Sequence, residues 1–269
     1  MQFAQINNQT LRIEVSGPKN ADMTLVFVNS LGSDLRIWDG VIRELEARLD
    51  DVRIIRYDKR GHGLSDLATP FTMSDHVKDL SELIDTEGSR KAVICGLSVG
   101  GQIALGLSQV RPELLAGLIL SNTAHKIGTS EMWQSRIDAI EVDGVEGIVD
   151  QILERWFSSS FHKQWPHDVA GYRNMLVRTP KDGYLNTCAA IRDADFSEAA
   201  AQVRVPTLCI AGEQDGSTPP ELVAELAALV LGANLEIVDG AGHLPGIEYP
   251  QVVADLIVDH MNQIKKENR

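Results

Sequence analysis

Short apolar runs alternate with longer amphipathic segments along most of this 269-residue chain. The apolar runs are rich in β-branched residues and predict strands at 24–28, 52–57, 91–95, 115–120, 205–211 and 235–238. The amphipathic segments predict helices at 38–49, 74–85, 99–110, 219–231 and 250–264. Strands that are apolar along nearly their whole length are typical of a parallel sheet, which is buried on both faces. The alternation therefore predicts an α/β fold, a doubly wound and mostly parallel sheet with helices on both sides.

Local patterns add detail to this outline. Residues 3–7 and 11–15 predict an N-terminal hairpin that turns through 8–10. Ser74 is the predicted N-cap of the second helix. The charged tail at 265–269 is expected to fray.

Residues 124–200 interrupt the alternation. This stretch contains three of the four tryptophans and no clear strand pattern. Helical patterns dominate it, at 131–141, 145–157, 168–178 and near 184–191. We interpret 124–200 as a helical cap that is inserted into an α/β core formed by 1–123 and 201–269.

Charge and composition exclude several classes of function. The chain has 25 basic and 38 acidic residues, a net charge of −13, whereas binding to nucleic-acid phosphates needs a basic excess. No segment approaches the roughly 20 apolar residues of a membrane span, and the start has no signal-peptide pattern. The three cysteines lie far apart, without the spacing of a zinc site or a disulfide framework. We expect a cytoplasmic protein with no nucleic-acid or membrane partner.

A GxSxGG motif at 96–101 is the main chemical signal in the chain. It follows a predicted strand directly and precedes a predicted helix, which is the context of a nucleophile elbow. Such a turn raises the Ser98 hydroxyl above the sheet, and Gly96 and Gly100 allow close backbone approach. The N–H groups at the start of the helix point towards developing negative charge.

A serine nucleophile needs a base and an acid that orients the base. The strand at 205–211 runs into a loop that contains Asp215, and the strand at 235–238 runs into a glycine-rich loop that contains His243. The chain order serine, acid, histidine is that of hydrolases with this elbow. Ser98, Asp215 and His243 are therefore the predicted catalytic residues.

Other residues compete for these roles. His62 is an alternative base, but a structural or pocket-lining role is favoured, and His125 is placed to line a pocket. The remaining histidines are interpreted as surface residues: His76, His162, His167 and His260. Asp239 and Glu213 are alternative acids. Asp239 lies only four residues before His243, too close along the chain to reach its Nδ1.

Together these segments resemble the α/β-hydrolase superfamily. The matching segments cover almost the whole chain outside the cap: GLSVGG, DKRGHGLS, GEQD and GAGH, at 96–101, 58–65, 212–215 and 240–243. The resemblance also implies an oxyanion hole, formed by the backbone N–H groups of Leu31 and Val99. Asn29 and Ser30 replace the His-Gly pair that is usual before the first donor. Since that donor is a backbone group, the change need not impair the hole.

Four further segments resemble one branch, the 3-oxoadipate enol-lactonases of aromatic catabolism (β-ketoadipate pathway). They are NSLGSDLRIWD, YDKRGHGLSD, TSEMWQSRI and AIRDADF, at 29–39, 57–66, 129–137 and 190–196. The resemblance implies that a small anionic enol lactone is hydrolysed to a 3-oxo diacid without a cofactor or metal. The sequence does not predict the oligomeric state of the protein.

An anionic substrate needs a local cation on a protein of charge −13. The cap contains five candidates: Arg136, Arg155, Arg173, Arg178 and Arg192. Arg136 is favoured because it follows Trp133 by three residues, which places both on one face of a helix. Trp133 is a candidate to stack on the lactone ring. The alternative is that Trp133 is cap core and Arg136 a surface charge.

Two other readings of the chain remain. One is a different serine hydrolase on the same fold: a carboxylesterase, a C–C bond hydrolase or a cofactor-free perhydrolase. The other is a ligand receptor that retains the fold, which the intact set of Ser98, Asp215 and His243 disfavours. Dehalogenase chemistry needs a carboxylate at the elbow, where this chain has Ser98.

Overall fold

The computed structural model describes residues 1–49, 51–89 and 91–267. Within them, eight strands form one sheet: β1 (Gln2–Ile6), β2 (Gln9–Ser16), β3 (Met23–Val28), β4 (Val52–Tyr57), β5 (Ala92–Leu97), β6 (Leu115–Ser121), β7 (Thr207–Gly212) and β8 (Asn234–Val238). The strand order is β1-β2-β4-β3-β5-β6-β7-β8. β2 pairs antiparallel with both β1 and β4, and the other pairs are parallel. The prediction of a mostly parallel α/β sheet is confirmed.

Helices cover both faces of this sheet. The helices in chain order are α1 (Asp39–Glu46), α2 (Met73–Thr86), α3 (Val99–Val110), α4 (Ser130–Asp143), α5 (Val149–Trp156), α6 (Ser159–Gln164), α7 (Pro166–Val177), α8 (Lys181–Arg192), α9 (Ser197–Gln202), α10 (Pro220–Leu229), α11 (Pro245–Glu248) and α12 (Pro250–Glu267). α1 packs against α12, and α2 packs against α3. Every residue of β5 is buried, because β5 lies in the middle of the sheet between the two helical layers.

Six helices, α4 to α9, lie between β6 and β7. α4 packs against α8, and α5 packs against α7. The last of the six, α9, contacts α3 and α10. The short helix α6 was not predicted: its six residues are too few to show a helical period.

Three local predictions need correction. The hairpin turns at Asn7 and Asn8, which both have positive φ, and β2 already begins at Gln9. Asparagine tolerates this conformation, so a two-residue turn forms there. The N-cap of α2 is Thr72, whose side chain and that of Asp75 form a capping box.

The third correction concerns the C-terminal tail. α12 continues to Glu267, so the prediction of fraying is wrong for 265–267, while 268 and 269 lie outside the described residues. In the part of the chain that the structure describes, none of the helices has the length and apolar character that crossing a bilayer requires.

Candidate active site

The turn between β5 and α3 places Ser98 at a sharp bend of the chain. Ser98 has a φ of 57° and a ψ of −121°, a conformation that non-glycine residues rarely adopt and that is concentrated at functional sites. A Cβ atom at Gly96 would lie 2.3 Å from the Gly100 carbonyl oxygen, and one at Gly100 would lie 2.2 Å from the Val28 carbonyl oxygen. Only glycine fits at both positions, because backbone packs against backbone. The GxSxG motif forms the strained turn that its context predicts.

Asp215 and His243 lie beside each other at the ends of neighbouring strands. Asp215 follows β7 and His243 follows β8, and these two strands pair in parallel. His243 Nδ1 lies 2.8 Å from Asp215 Oδ2, and both side chains are almost completely buried. Since an ionised carboxylate only accepts hydrogen bonds, the imidazole donates from Nδ1 and keeps a lone pair on Nε2. In this tautomer the ring can take a proton at Nε2.

Asp215 is ionised despite its burial. Burial raises the pKa of this carboxyl group, but the neighbouring His243, Asn122 and the Thr218 N–H outweigh it, so the pKa lies below its ordinary value. Oδ2 accepts from Asn122 Nδ2 at 2.9 Å and from Thr218 Oγ1 at 2.8 Å. Oδ1 accepts the backbone N–H groups of Ser217 and Thr218 at 2.7 and 3.0 Å. These donors fix the direction in which the carboxylate faces the imidazole.

Asn122 and Thr218 were missed in the sequence. Asn122 comes directly after β6 and has a φ of 47°. A polar residue at a strand end is a weak signal, and its meaning depends on β6 lying next to β7. Strand adjacency is a property of the folded sheet, so the sequence pattern alone did not reveal this contact.

The two predicted oxyanion donors lie in neighbouring loops. Leu31 follows the end of β3, and Val99 is the first residue of α3. β3 and β5 pair in parallel with Val28 opposite Gly96, so the two loops leave the sheet side by side. The N–H at the first position of a helix has no helical acceptor. Over the described residues, the Leu31 N–H donates no hydrogen bond to the protein.

His62, the alternative base, is engaged with the loop that contains Leu31. Its Nε2 accepts the Gly32 N–H at 3.1 Å, and its Nδ1 lies 3.2 Å from the Arg60 carbonyl oxygen. Burial and the nearby Lys59 hold the pKa of His62 well below its ordinary value, so the ring is neutral with its proton on Nδ1. Both ring nitrogens have partners, and the expectation of a structural role is confirmed.

Two of the histidines that were predicted on the surface are buried. His76 is only 1% exposed and His260 only 4% exposed. His76 lies on α2, packs edge-on against Phe71 and faces Thr187 of α8, so the inserted helices cover it. His260 lies on the face of α12 that contributes to the core. The prediction was wrong because it rested on the polarity of histidine, whereas burial depends on which helix faces other elements cover in the folded protein.

The alternative acids point away from the histidine. Asp239 and Glu213 are both exposed. Glu213 accepts the Gly240 N–H at 2.8 Å, which ties the two loops together at the surface. Among the three acids, Asp215 is the one in contact with His243.

Arg136 and Trp133 lie on one face of α4, as predicted. The Arg136 guanidinium carbon is 4.8 Å from the centre of the Trp133 ring, within the range of a cation–π contact. Trp133 is buried and donates its indole N–H to the Ile127 carbonyl oxygen at 2.6 Å. Trp133 is thus a core residue, whereas Arg136 is half-buried rather than a free surface charge. Their roles towards a substrate stay predictions.

Tyr184 lies between Arg136 and the loop after β3 that contains Leu31, the predicted oxyanion loop. Burial raises the pKa of Tyr184, and the nearby Arg136 opposes that rise. A Cβ atom at Gly32 would lie 2.9 Å from the Tyr184 ring. The Tyr184 ring therefore lies between the Arg136 guanidinium and Gly32, the residue that follows Leu31.

A groove of about 1080 Å³ lies outside this cluster. Its walls include Ser33 and Asp34 after β3, and Tyr172 and Arg178 of the inserted helices. Ser98, Asp215 and His243 do not line it. Ser98, Asp215 and His243 lie at the strand ends and are buried, with Ser98 only 8% exposed.

Comparison with known proteins agrees with this geometry. Residues 25–256 match the model of the alpha/beta hydrolase family. The chain belongs to this family. As an α/β hydrolase, it has the expected eight-stranded sheet, with a strained serine turn after β5.

Individual relatives of this α/β hydrolase include lactonases and esterases. 3-Oxoadipate enol-lactonase 1 of Acinetobacter baylyi is 33% identical over 243 residues, which is 90% of each chain. The crystal structure of the enol-lactonase from Burkholderia xenovorans superposes with a TM-score of 0.91 at 32% identity, over 97% of this chain and 100% of that one. A thermophilic esterase from Thermogutta terrifontis, determined with malate bound, gives a TM-score of 0.90 at 25% identity, over 98% and 99% of the two chains.

Proposed function

We propose that this α/β hydrolase opens the ring of 3-oxoadipate enol-lactone by acyl transfer through Ser98. The 2.8 Å contact between His243 and Asp215 carries the hydrolase part of the proposal, since it leaves Nε2 as the proton acceptor. The similarity to enol-lactonases at 32–33% identity supports the choice of substrate. The helices within 124–200 form the cap of the proposed enzyme.

The first half of the reaction acylates the serine. His243 Nε2 takes the proton of the Ser98 hydroxyl while Oγ attacks the lactone carbonyl carbon. The carbonyl oxygen becomes an oxyanion, and the N–H groups of Leu31 and Val99 stabilise it. The C–O bond of the ring then breaks, the enolate takes the proton from His243, and the enol converts to the ketone. An enolate is a much weaker base than an amide nitrogen, so this protonation demands little of His243.

The second half releases the product. His243 removes a proton from water, whose oxygen attacks the acyl carbon, and the oxyanion forms again between Leu31 and Val99. Collapse breaks the bond to Ser98 Oγ, which recovers its proton from His243. The product is 3-oxoadipate. Asp215 keeps the neutral imidazole in the tautomer with its proton on Nδ1 and stabilises the imidazolium that forms in each half. No cofactor takes part in these steps.

Arg136 supports an anionic substrate. Two of the other cap arginines already pair with carboxylates: Arg173 with Glu146 and Asp150, and Arg192 with Asp193. Over the described residues, Arg136, Arg155 and Arg178 form no such ion pair, and of these three Arg136 is the one that interacts with Tyr184. Its position next to Tyr184 and the oxyanion loop suits it to bind the substrate carboxylate.

A carboxylesterase is the second candidate. The Thermogutta terrifontis esterase supports it, because its structural similarity to this chain nearly equals that of the enol-lactonase. The two activities share Ser98, Asp215 and His243 and differ in the leaving group and in the charge of the substrate.

The deciding assay compares two substrates. The ultraviolet absorbance of 3-oxoadipate enol-lactone is followed with the wild type and with Ser98→Ala, alongside p-nitrophenyl acetate. Fast lactone loss that disappears in Ser98→Ala, with slow ester cleavage, is the expected result. Efficient ester cleavage without lactone loss would transfer the assignment to a carboxylesterase.

A further inference from the structure

Lys59 is a buried cation that the proposed reaction does not use. It follows β4 and is only 1% exposed, although lysine is almost never fully buried without a partner. Its ammonium group donates to the Ser30 carbonyl oxygen, with Nζ 2.5 Å away. A buried charge without such a hydrogen bond is very costly, so this contact fixes where the Lys59 side chain ends.

The Ser30 carbonyl oxygen accepts two further hydrogen bonds. Ser33 donates to it from Oγ at 2.9 Å and from its backbone N–H at 3.4 Å. Together with Lys59, three donors surround one carbonyl oxygen. The orientation of this carbonyl is therefore fixed from several sides.

The same peptide unit contains the Leu31 N–H. A trans peptide is planar, so its N–H points in the direction opposite to its C=O. Donors on the Ser30 oxygen consequently determine where the Leu31 N–H points. A charged donor also polarises the peptide, and polarisation along such a chain of hydrogen bonds strengthens the next one.

Two neighbouring donors of this loop have partners within the protein. The Gly32 N–H donates to His62, and Asn29 Nδ2 donates to the Ser33 carbonyl oxygen at 3.3 Å. The Leu31 N–H, which has no acceptor among the described residues, is the group that remains for a ligand. The loop thus holds one donor ready beside Ser98.

We propose that Lys59 is a positioning residue of the oxyanion hole, which orients and polarises the Ser30–Leu31 peptide so that its N–H binds the oxyanion. The inference rests on the proposed function in one respect, that Ser98 performs acyl transfer. It does not depend on the identity of the acyl group.

Burial disfavours the charge of Lys59, and two neighbouring carboxylates favour it. The groups that face it are Asp58, Asp34, His62 and His76. Burial lowers the pKa of Lys59 to about 7, and the two carboxylates oppose the decrease. Both histidines have pKa values well below their ordinary value, so they add no charge at neutral pH.

The test compares three variants of the full chain. Lys59→Met removes the donor, Lys59→Arg keeps a permanent charge and donors, and Arg53→Met is the matched control. Arg53 lies near the start of β4, the strand that Lys59 follows, and pairs with Glu87. Steady-state constants are measured with p-nitrophenyl acetate and with the enol-lactone, together with the rate at which a fluorophosphonate labels Ser98.

Losing one oxyanion donor costs about 10²–10³ in rate, and a misoriented donor loses part of that. Lys59→Met is expected to lower kcat and the labelling rate about 10- to 100-fold with KM nearly unchanged. Lys59→Arg should recover most of the loss, and Arg53→Met should keep the wild-type kcat. Wild-type kcat and labelling in folded Lys59→Met, or a change confined to KM, would overturn the proposal.

Two outcomes separate this inference from the proposed function. A wild type that cleaves p-nitrophenyl acetate but not the lactone refutes the lactonase, while the Lys59 comparison is still made on the ester. A wild type in which Ser98 is not labelled at all refutes both. If Lys59→Met does not fold, Ser33→Ala removes a second donor to the Ser30 oxygen, and an unchanged kcat in that variant overturns the proposal.

Discussion

Replacing Asp215 by asparagine tests the acid–histidine pair with almost no change of shape. The Oδ1 atom of Asp215 faces the two backbone N–H donors of Ser217 and Thr218. An asparagine amide therefore places its oxygen on that side and its NH₂ group at the Oδ2 position, opposite His243 Nδ1. His243 must then accept at Nδ1 and carry its proton on Nε2. In that tautomer it cannot take the Ser98 proton.

The expected loss is large and confined to catalysis. The corresponding change in serine proteases lowers kcat about 10⁴-fold, which corresponds to about 5 kcal/mol at 1.36 kcal/mol per tenfold. KM for the lactone should stay within a few-fold, because Asp215 does not contact the substrate in the proposed reaction. Asp239→Asn is the control, since this exposed acid lies in the His243 loop and its loss should leave kcat near that of the wild type.

The assay is steady-state lactone hydrolysis at several pH values, with urea unfolding to confirm that each variant is folded. Because the pKa of Asp215 lies below its ordinary value, the acid stays ionised across the range tested. A folded Asp215→Asn that loses less than about tenfold in kcat would refute the assigned tautomer. Equal losses in Asp215→Asn and Asp239→Asn would refute the choice of acid.

Three further predictions concern other parts of the site. Gly100→Ala should lower the free energy of unfolding in urea by about 1–3 kcal/mol, because the new Cβ atom would lie 2.2 Å from the Val28 carbonyl oxygen. Gly171 has open space around it on a helix, so Gly171→Ala should not lower that free energy. Equal effects of the two substitutions would contradict the steric argument. Arg136→Ala should lower kcat/KM for the lactone acid about 10- to 100-fold more than for its neutral methyl ester, as expected for a hydrogen bond between charged groups; equal losses would exclude a role in charge recognition. The free energy of unfolding of the wild type should increase relative to that of Lys59→Met as the pH rises from about 7 towards 10.5, because the native state, with a lowered Lys59 pKa, binds fewer protons there than the unfolded chain does. Parallel pH curves would show that folding does not lower the Lys59 pKa.

The chain order of the active-site candidates was readable from the sequence. Ser98, Asp215 and His243 each follow a short apolar run that predicts a strand, and the carboxyl ends of parallel strands meet at one edge. The glycines around Ser98 signalled the tight turn. These inferences depend on local pattern and on a general rule about parallel sheets, so they did not require the strand order.

The supporting residues depend on contacts between distant segments. Lys59 donates to Ser30, and Asn122 donates to Asp215 across 93 positions of the chain. Such contacts leave no periodic signal, and lysine in a sequence favours the surface. His76 was misplaced for the same reason, because α8 covers it only in the folded protein.

The central claim is that Ser98 forms a covalent acyl intermediate with the lactone. It is tested most directly by quenching turnover in acid and measuring the mass of the intact protein, followed by peptide mapping. A lactone keeps its leaving group within the same molecule, so the adduct must have the mass of the whole substrate, whereas an ester transfers only its acyl half. We expect a whole-lactone adduct on Ser98, with neither adduct nor turnover in Ser98→Ala. An adduct on another residue, or lactone turnover by Ser98→Ala near the wild-type rate, would contradict it.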